Sequence, residues 1–157
     1  MCLYLKDIKP KIAKRDIVCY KILNRTSRFN WDTNEMEEMY TTPYQHTPIN
    51  SVNDDIIKGI RCFEPDSSTP HIWSNPEDLF YCKGFKWTMR GGCIHSYRYK
   101  KDANFMKKDT YFVKVVGTED VIFECVIPKG TEYYKGIDAL GQENYASKKI
   151  RFVKQVK

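Results

Sequence analysis

LFYCKGFKWTMRGGCIHSYRYKK, residues 79–101, departs from the rest of the chain in charge, aromatic content and turn chemistry at once. No acid lies between Asp78 and Asp102, and six cations (Lys83, Lys86, Arg90, Arg98, Lys100, Lys101) are interleaved with six aromatics (Phe80, Tyr81, Phe85, Trp87, Tyr97, Tyr99). Gly91-Gly92, flanked by strand-forming residues, predicts a β-hairpin with a two-residue loop. That loop sets Arg90 opposite Cys93, Met89 opposite Ile94, Thr88 opposite His95, Trp87 opposite Ser96 and Lys86 opposite Tyr97. Side chains alternate between faces, so Phe85, Trp87, Met89, Ile94 and Ser96 form an apolar face fit for burial. Lys86, Thr88, Arg90, Cys93, His95, Tyr97 and Tyr99 form the other. Cations and rings on one wetted face suit phosphates and stacked bases. The structural alternative is the solvated side of a half-buried strand, with tyrosines over lysine stems.

Working outward, 157 residues fit one domain spanning 1–157, long enough to bury a core without disulfide staples. Aromatics make up 14% of the chain, with eleven tyrosines, which favours strands and ligand-contacting surfaces over helical bundles. The net charge of +6 is unevenly placed: residues 1–80 carry 10 Lys+Arg against 12 Asp+Glu, and residues 81–157 carry 16 against 8. A positive half of that strength attracts an anionic partner and speeds encounter with it. Cysteines at 2, 19, 62, 82, 93 and 125 form no CxxC, so they read as reduced, mostly buried thiols of a cytosol. The opening MCLYLKD reaches a charge too early for a signal-peptide core, and no apolar run approaches the roughly 20 residues that span a bilayer. A cytoplasmic protein is expected.

Along the chain, Asp16–Leu23 (DIVCYKIL) predicts a central strand. Asn24–Asp32 is polar and turn-prone. Thr33–Tyr40 fits a short acidic helix or a strand, ended by Pro43. Ser51–Asp54 reads as a capping box opening a helix with Ile56, Ile57 and Ile60 on one side. Glu64–Pro76 reads as a long surface loop, and Asp102 as the cap of a short helix reaching about Lys108. Thr110–Val116 and Asp120–Ile127 predict a second hairpin. Pro128-Lys129-Gly130 predicts a tight turn with proline at its second position. Thr131–Lys135 and Tyr145–Val156 predict two further strands. The expected fold class is α+β: a single domain dominated by antiparallel strands in hairpins and a meander, with one to three short helices.

Catalytic patterns are sparse. Asp54-Asp55 and Glu37-Glu38 are adjacent pairs whose members point apart, which excludes a natural two-metal nuclease site. Of His46, His71 and His95, His95 is the best candidate for metal-independent acid/base cleavage of RNA, because neighbouring cations would keep it neutral. Cys93 and His95 supply two zinc ligands and no second pair completes four. No metal and no cofactor is expected.

Glu124–Gly136 (ECVIPKGTEYYKG) and Tyr145–Phe152 (YASKKIRF), with the opening MCLYLKDIKPKIAKRDIVCYKIL and IHSY at 94–97, resemble short uncharacterised proteins of gut Bacteroidota and their phages. The resemblance covers about half the chain and carries no known activity. It implies a small accessory protein of a bacterial cytosol, encoded by a phage, and it assigns no site. The expected function is therefore binding of an anionic partner, whether nucleic acid, nucleotide or host nucleoprotein, as a counter-defence inhibitor. The expected binding residues are Lys86, Trp87, Arg90, His95, Tyr97 and Tyr99, with Lys148, Lys149 and Arg151 as a second basic patch. The alternatives are a small enzyme acting on RNA or nucleotides through His95, and a plain protein-binding module with a tyrosine-rich surface.

Overall fold

The computed structural model describes residues 2–7, 9–43, 48–49, 56–58, 87–90, 94–108 and 117–157, with backbone alone for residues 2, 48–49, 56–58, 87–90 and 108. Its strands are β1 (Cys2–Leu5), β2 (Lys11–Ile12), β3 (Ile17–Asn30), β4 (Glu35–Thr41), β5 (Pro48–Ile49), β6 (Ile56–Lys58), β7 (Trp87–Arg90), β8 (Ile94–Tyr97), β9 (Glu119–Ile127), β10 (Glu132–Ile137), β11 (Glu143–Ser147) and β12 (Lys149–Val156). One helix, α1 (Lys100–Lys108), occurs among the described residues. The strands form one sheet in the order β6-β12-β9-β3-β8-β11-β10-β1-β7, with β2 on β10, and with β4 pairing β3 and β5. Every pairing is antiparallel. The expected strand-dominated, antiparallel class is what the chain adopts. None of the described helices is long and apolar enough to cross a membrane.

Strand β3 organises the sheet, and its sequence shows why. IVCYKIL alternates residues that both faces can bury, so the strand takes neighbours on both edges: β9 from Ile17 to Arg25 on one, β8 at Tyr20 and then β4 from Asn24 on the other. Cys19 and Leu23 join Val121, Phe123, Cys125 and Ile127 of β9, Ile150 and Phe152 of β12, and Tyr145 of β11 in the main core. The opposite face of β3 packs Ile22 with Ile122 and Tyr97 beneath Ala103 and Met106 of α1. A third cluster forms where Leu3 and Leu5 of β1 meet Ala146. Fully burying side chains of this size contributes about 1.5–3 kcal/mol each.

Glycine matters at two positions. A Cβ on Gly136 would sit 2.3 Å from the Tyr4 carbonyl oxygen and 2.9 Å from Leu3 Cγ, so only glycine lets β1 cross β10 there. At Gly130, φ is +81° and the Thr131 N–H donates to the Pro128 carbonyl at 3.1 Å. Pro128 is therefore the first residue of this turn rather than the second, and Gly130 takes the left-handed third position of a type II turn.

Several sequence readings are corrected by pairing partners remote in the chain. The hairpin expected across Gly91-Gly92 does not form. β7 pairs with β1, setting Arg90 opposite Cys2, Met89 opposite Leu3 and Trp87 opposite Leu5, whereas β8 pairs with β11 and β3. Three strands lie between them. The local turn signal loses to the buried strands β1 and β11, which offer each arm a partner remote in the chain. The polar Asn24–Asp32 is extended up to Asn30, because β4 pairs with it residue for residue from Asn24↔Thr41 to Asn30↔Glu35. Thr33–Tyr40 takes the strand alternative. Within the helix expected after Ser51, residues 56–58 are instead a strand whose Ile57 opposes Ile150. Tyr145–Val156 is two strands broken at Lys148, not one. The expected α1 is present and begins at Lys100, two residues before Asp102. The loop at Glu64–Pro76 and the strand at Thr110–Val116 lie outside the described residues.

Candidate functional site

An open groove of about 880 Å³ lies where the chain enters β3, lined by Lys11, Ile12, Lys14, Arg15, Asp16, Ile17, Val18, Tyr133 and Tyr145. The local sequence builds it in steps. β2 is only two residues long and lies on β10, with Lys11 opposite Tyr133. Ala13 then anchors the chain: its N–H donates to Thr131 at 3.0 Å and its carbonyl accepts from Gly130 at 2.8 Å, while its methyl joins the main core. Lys14 and Arg15 bend outward from that anchor. Tyr133 and Tyr145 form the floor in edge-to-face contact, centroids 5.7 Å apart.

The charge balance of the groove is one-sided. Lys11, Lys14 and Arg15 make no ion pair among the described residues. Asp16, the one acid among the described lining residues, is already engaged: one oxygen accepts from the Lys129 N–H at 2.9 Å and the other faces Arg151 at 3.5 Å. Three cations beside the half-buried Tyr133, with Tyr145 buried behind it and exposed Ile12 and Val18 at the rim, can neutralise an anion and cover a flat or apolar group beside it. A smaller recess of about 300 Å³ continues past Lys11 and is lined by Lys6, Lys9 and Lys135 together with Asp7 and Glu143. Glu143 is held by Lys135 and Arg98, which keep its carboxyl below the usual range, the hydrogen bond from Lys135 being the largest influence.

The residues expected to bind do not come together as one face. Lys86 lies outside the described residues, and Trp87 and Arg90 are placed by backbone register alone. Tyr97 is 3% exposed, packed under α1 with Ile22 and Met106. Burial on both sides of the sheet, which a single strand's pattern does not reveal, removes it from any wetted surface. Tyr99 is exposed, with the Arg98 guanidinium 4.8 Å and the Lys101 ammonium 5.6 Å from its ring centre. These three residues form a local cluster at the start of α1, not the hairpin face on which Tyr99 was expected.

His95 has both ring nitrogens sealed from solvent, without a hydrogen-bond partner among the described residues. Burial, with the Lys21 ammonium next in importance, lowers its pKa to about 3. The ring is neutral as expected, but by burial rather than by the hairpin cations. A sealed ring cannot reach a substrate proton.

In the second basic patch, Lys148 pairs with Glu132 and Arg151 with Asp16. Lys149 is exposed and unpaired among the described residues, opposite Lys58 in register. On the core face Lys21 donates to the His95 carbonyl at 2.8 Å, and burial lowers its pKa. The neighbouring Cys19 and Cys125 are opposed across β3 and β9 as free, buried thiols. Burial pushes Cys19 up to about 11 and Cys125 further in the same direction, so neither is a thiolate nucleophile. No cluster of three or more potential metal ligands occurs among the described residues.

Sequence reading passed over the groove because its cations belong to KPKIAKRD, residues 9–16. Four cations in eight residues look like a solvated leader until Ala13 is seen to pin them to the Pro128–Thr131 turn. Comparison of the chain with protein-family models, curated proteins and solved structures returns no match.

Proposed function

We propose that the protein binds an anionic partner, a single-stranded nucleic acid or a nucleotide, in the groove formed by Lys11, Lys14, Arg15, Tyr133 and Tyr145. The observation that supports this reading is the one-sided charge: three cations without an ion pair among the described residues share the lining with Tyr133 and Tyr145, while Asp16, the only carboxylate among the described lining residues, is turned to its own partners. Phosphates would take the cations and a base would lie against the ring edges and the Ile12 and Val18 rim, the combination used by sequence-tolerant single-strand binders. The resemblance to proteins of Bacteroidota phages is the ground for setting this binding against a host nucleic-acid machine, as a counter-defence inhibitor would.

The test is a titration of a fluorescent RNA or DNA oligonucleotide at several salt concentrations. Affinity should fall steeply between about 50 and 200 mM salt, and Lys11→Ala, Lys14→Ala and Arg15→Ala should each flatten the logarithmic salt slope by about 0.7 for a single strand. Binding that ignores salt, or that survives the triple variant unchanged, refutes the proposal.

A further inference from the structure

The far end of β3 leaves the sheet. Beyond Arg25 its pairing with β9 stops, and among the described residues 26–30 pair with β4 alone, as a two-stranded arm. The arm turns through Trp31–Asn34, where Asn30 Oδ1 accepts from the Asp32 N–H at 2.9 Å and Asn34 takes φ +58°. Its tip is apolar and open: Trp31 is 83% and Met36 63% exposed, Phe29 opposes Met36, and the Phe29 and Trp31 rings meet edge-to-face at 4.8 Å. Around these residues the arm is acidic, with Asp32, Glu35, Glu37 and Glu38 against Arg28 alone between positions 26 and 39.

The groove at the near end of β3 has the opposite character. It is cationic through Lys11, Lys14 and Arg15, and apolar at its rim through Ile12 and Val18. Arm and groove are thus complementary in both charge and apolar surface. Fourteen residues of extended chain separate them by about 45 Å, so they cannot meet within one molecule.

We propose that the arm tip of one copy docks in the cationic groove of a second, and that two copies laid antiparallel along β3 exchange arms reciprocally to form a two-fold dimer. Trp31, on the Phe29 and Met36 side of the arm, covers the Tyr133 side of the groove, while Glu35 and Glu37, on the other side of the arm beside Asn30 and Arg28, face Lys14 and Arg15 at its edge. Reciprocal exchange closes the assembly, as two-fold contacts do, and leaves no arm unpaired. The inference goes beyond the binding of an anionic ligand and needs none. Because the two occupants share a groove, dimer and ligand complex exclude one another.

Sedimentation equilibrium of the nucleic-acid-free chain tests it. The expected result is a concentration-dependent rise from 18.6 kDa to twice that mass, weakened by salt. Trp31→Ala, a substitution at an exposed tip, should weaken dimerisation about tenfold or more and leave the melting temperature unchanged at dilution, where the chain is monomeric. Glu35→Lys/Glu37→Lys and Lys14→Glu/Arg15→Glu should each abolish it, since like charges then meet. An equimolar mixture of the two charge-reversed chains should recover a mixed dimer, because each arm again finds an opposite groove. A mass of 18.6 kDa at every concentration overturns the proposal, as does a dimer indifferent to Trp31→Ala or a mixture that stays monomeric. Oligonucleotide binding by a monomeric chain would then still stand, so the two readings fail separately.

Discussion

The two halves of β3 are one strand with two fates. From Ile17 to Arg25 it has β9 on one edge, core residues on one face and α1 over the other; from Thr26 to Asn30 it has β4 and little else among the described residues. Both halves alternate side chains regularly. The difference shows that burial comes from what the rest of the chain brings alongside. On the arm Phe29 is only half-buried and packs on Trp31, while Leu23, six positions earlier on the same face, is fully buried in the main core.

The contrast breaks most sharply under truncation. In a urea melt of the dilute, monomeric chain Leu23→Ala should cost about 2–5 kcal/mol, whereas Trp31→Ala should stay within about 0.5 kcal/mol. Equal losses would mean that the arm is part of the core. Where β1 crosses the sheet, Gly136→Ala should lower stability by an amount comparable to Leu23→Ala, since the added methyl meets a backbone carbonyl rather than a yielding side chain.

A pH series sharpens the same comparison. His95 is lowered to about 3 when folded and titrates near 6.5 when unfolded, so below about pH 6.5 the unfolded chain binds the extra proton. Stability is complete above that pH and falls by about 1.4 kcal/mol per unit as the medium is acidified toward pH 3. His95→Leu should flatten the dependence in melts at pH 7 and pH 5; an unaltered slope would show that the ring is open to solvent. The smallest effect is local. Amides of Cys19–Leu23 should exchange hydrogen only on global unfolding, and those of Thr26–Asn30 by fraying of the arm. Uniform protection along β3 would erase the distinction.

What could be read in advance follows the same division. Asp16–Leu23 and Asp120–Ile127 were legible as strands because both faces are apolar and no nearby turn competes. Asn24–Asn30 was not, because NRTSRFN has no alternation of its own and is extended only through its register with β4. Gly91-Gly92 carried a strong hairpin signal and lost to remote partners. The same rearrangement separated the expected binding face: β7 and β8 went to different parts of the sheet, and Tyr97 and His95 were covered. Lys11, Lys14 and Arg15 were visible as charge but not as a site.

By itself the sequence determined that the chain is rich in strands, that they pair antiparallel, that the segments at 16–23 and 120–127 are strands that contribute to the core, and that cations outnumber acids. These are properties of composition and short-range alternation, which act within a few residues. Only the tertiary structure decided which strands are neighbours, which rings are covered and which cations gather without acids. Those outcomes depend on contacts between residues far apart in the chain, as when Ala13 meets the Pro128–Thr131 turn and sets Lys14 and Arg15 beside Tyr133 and Tyr145.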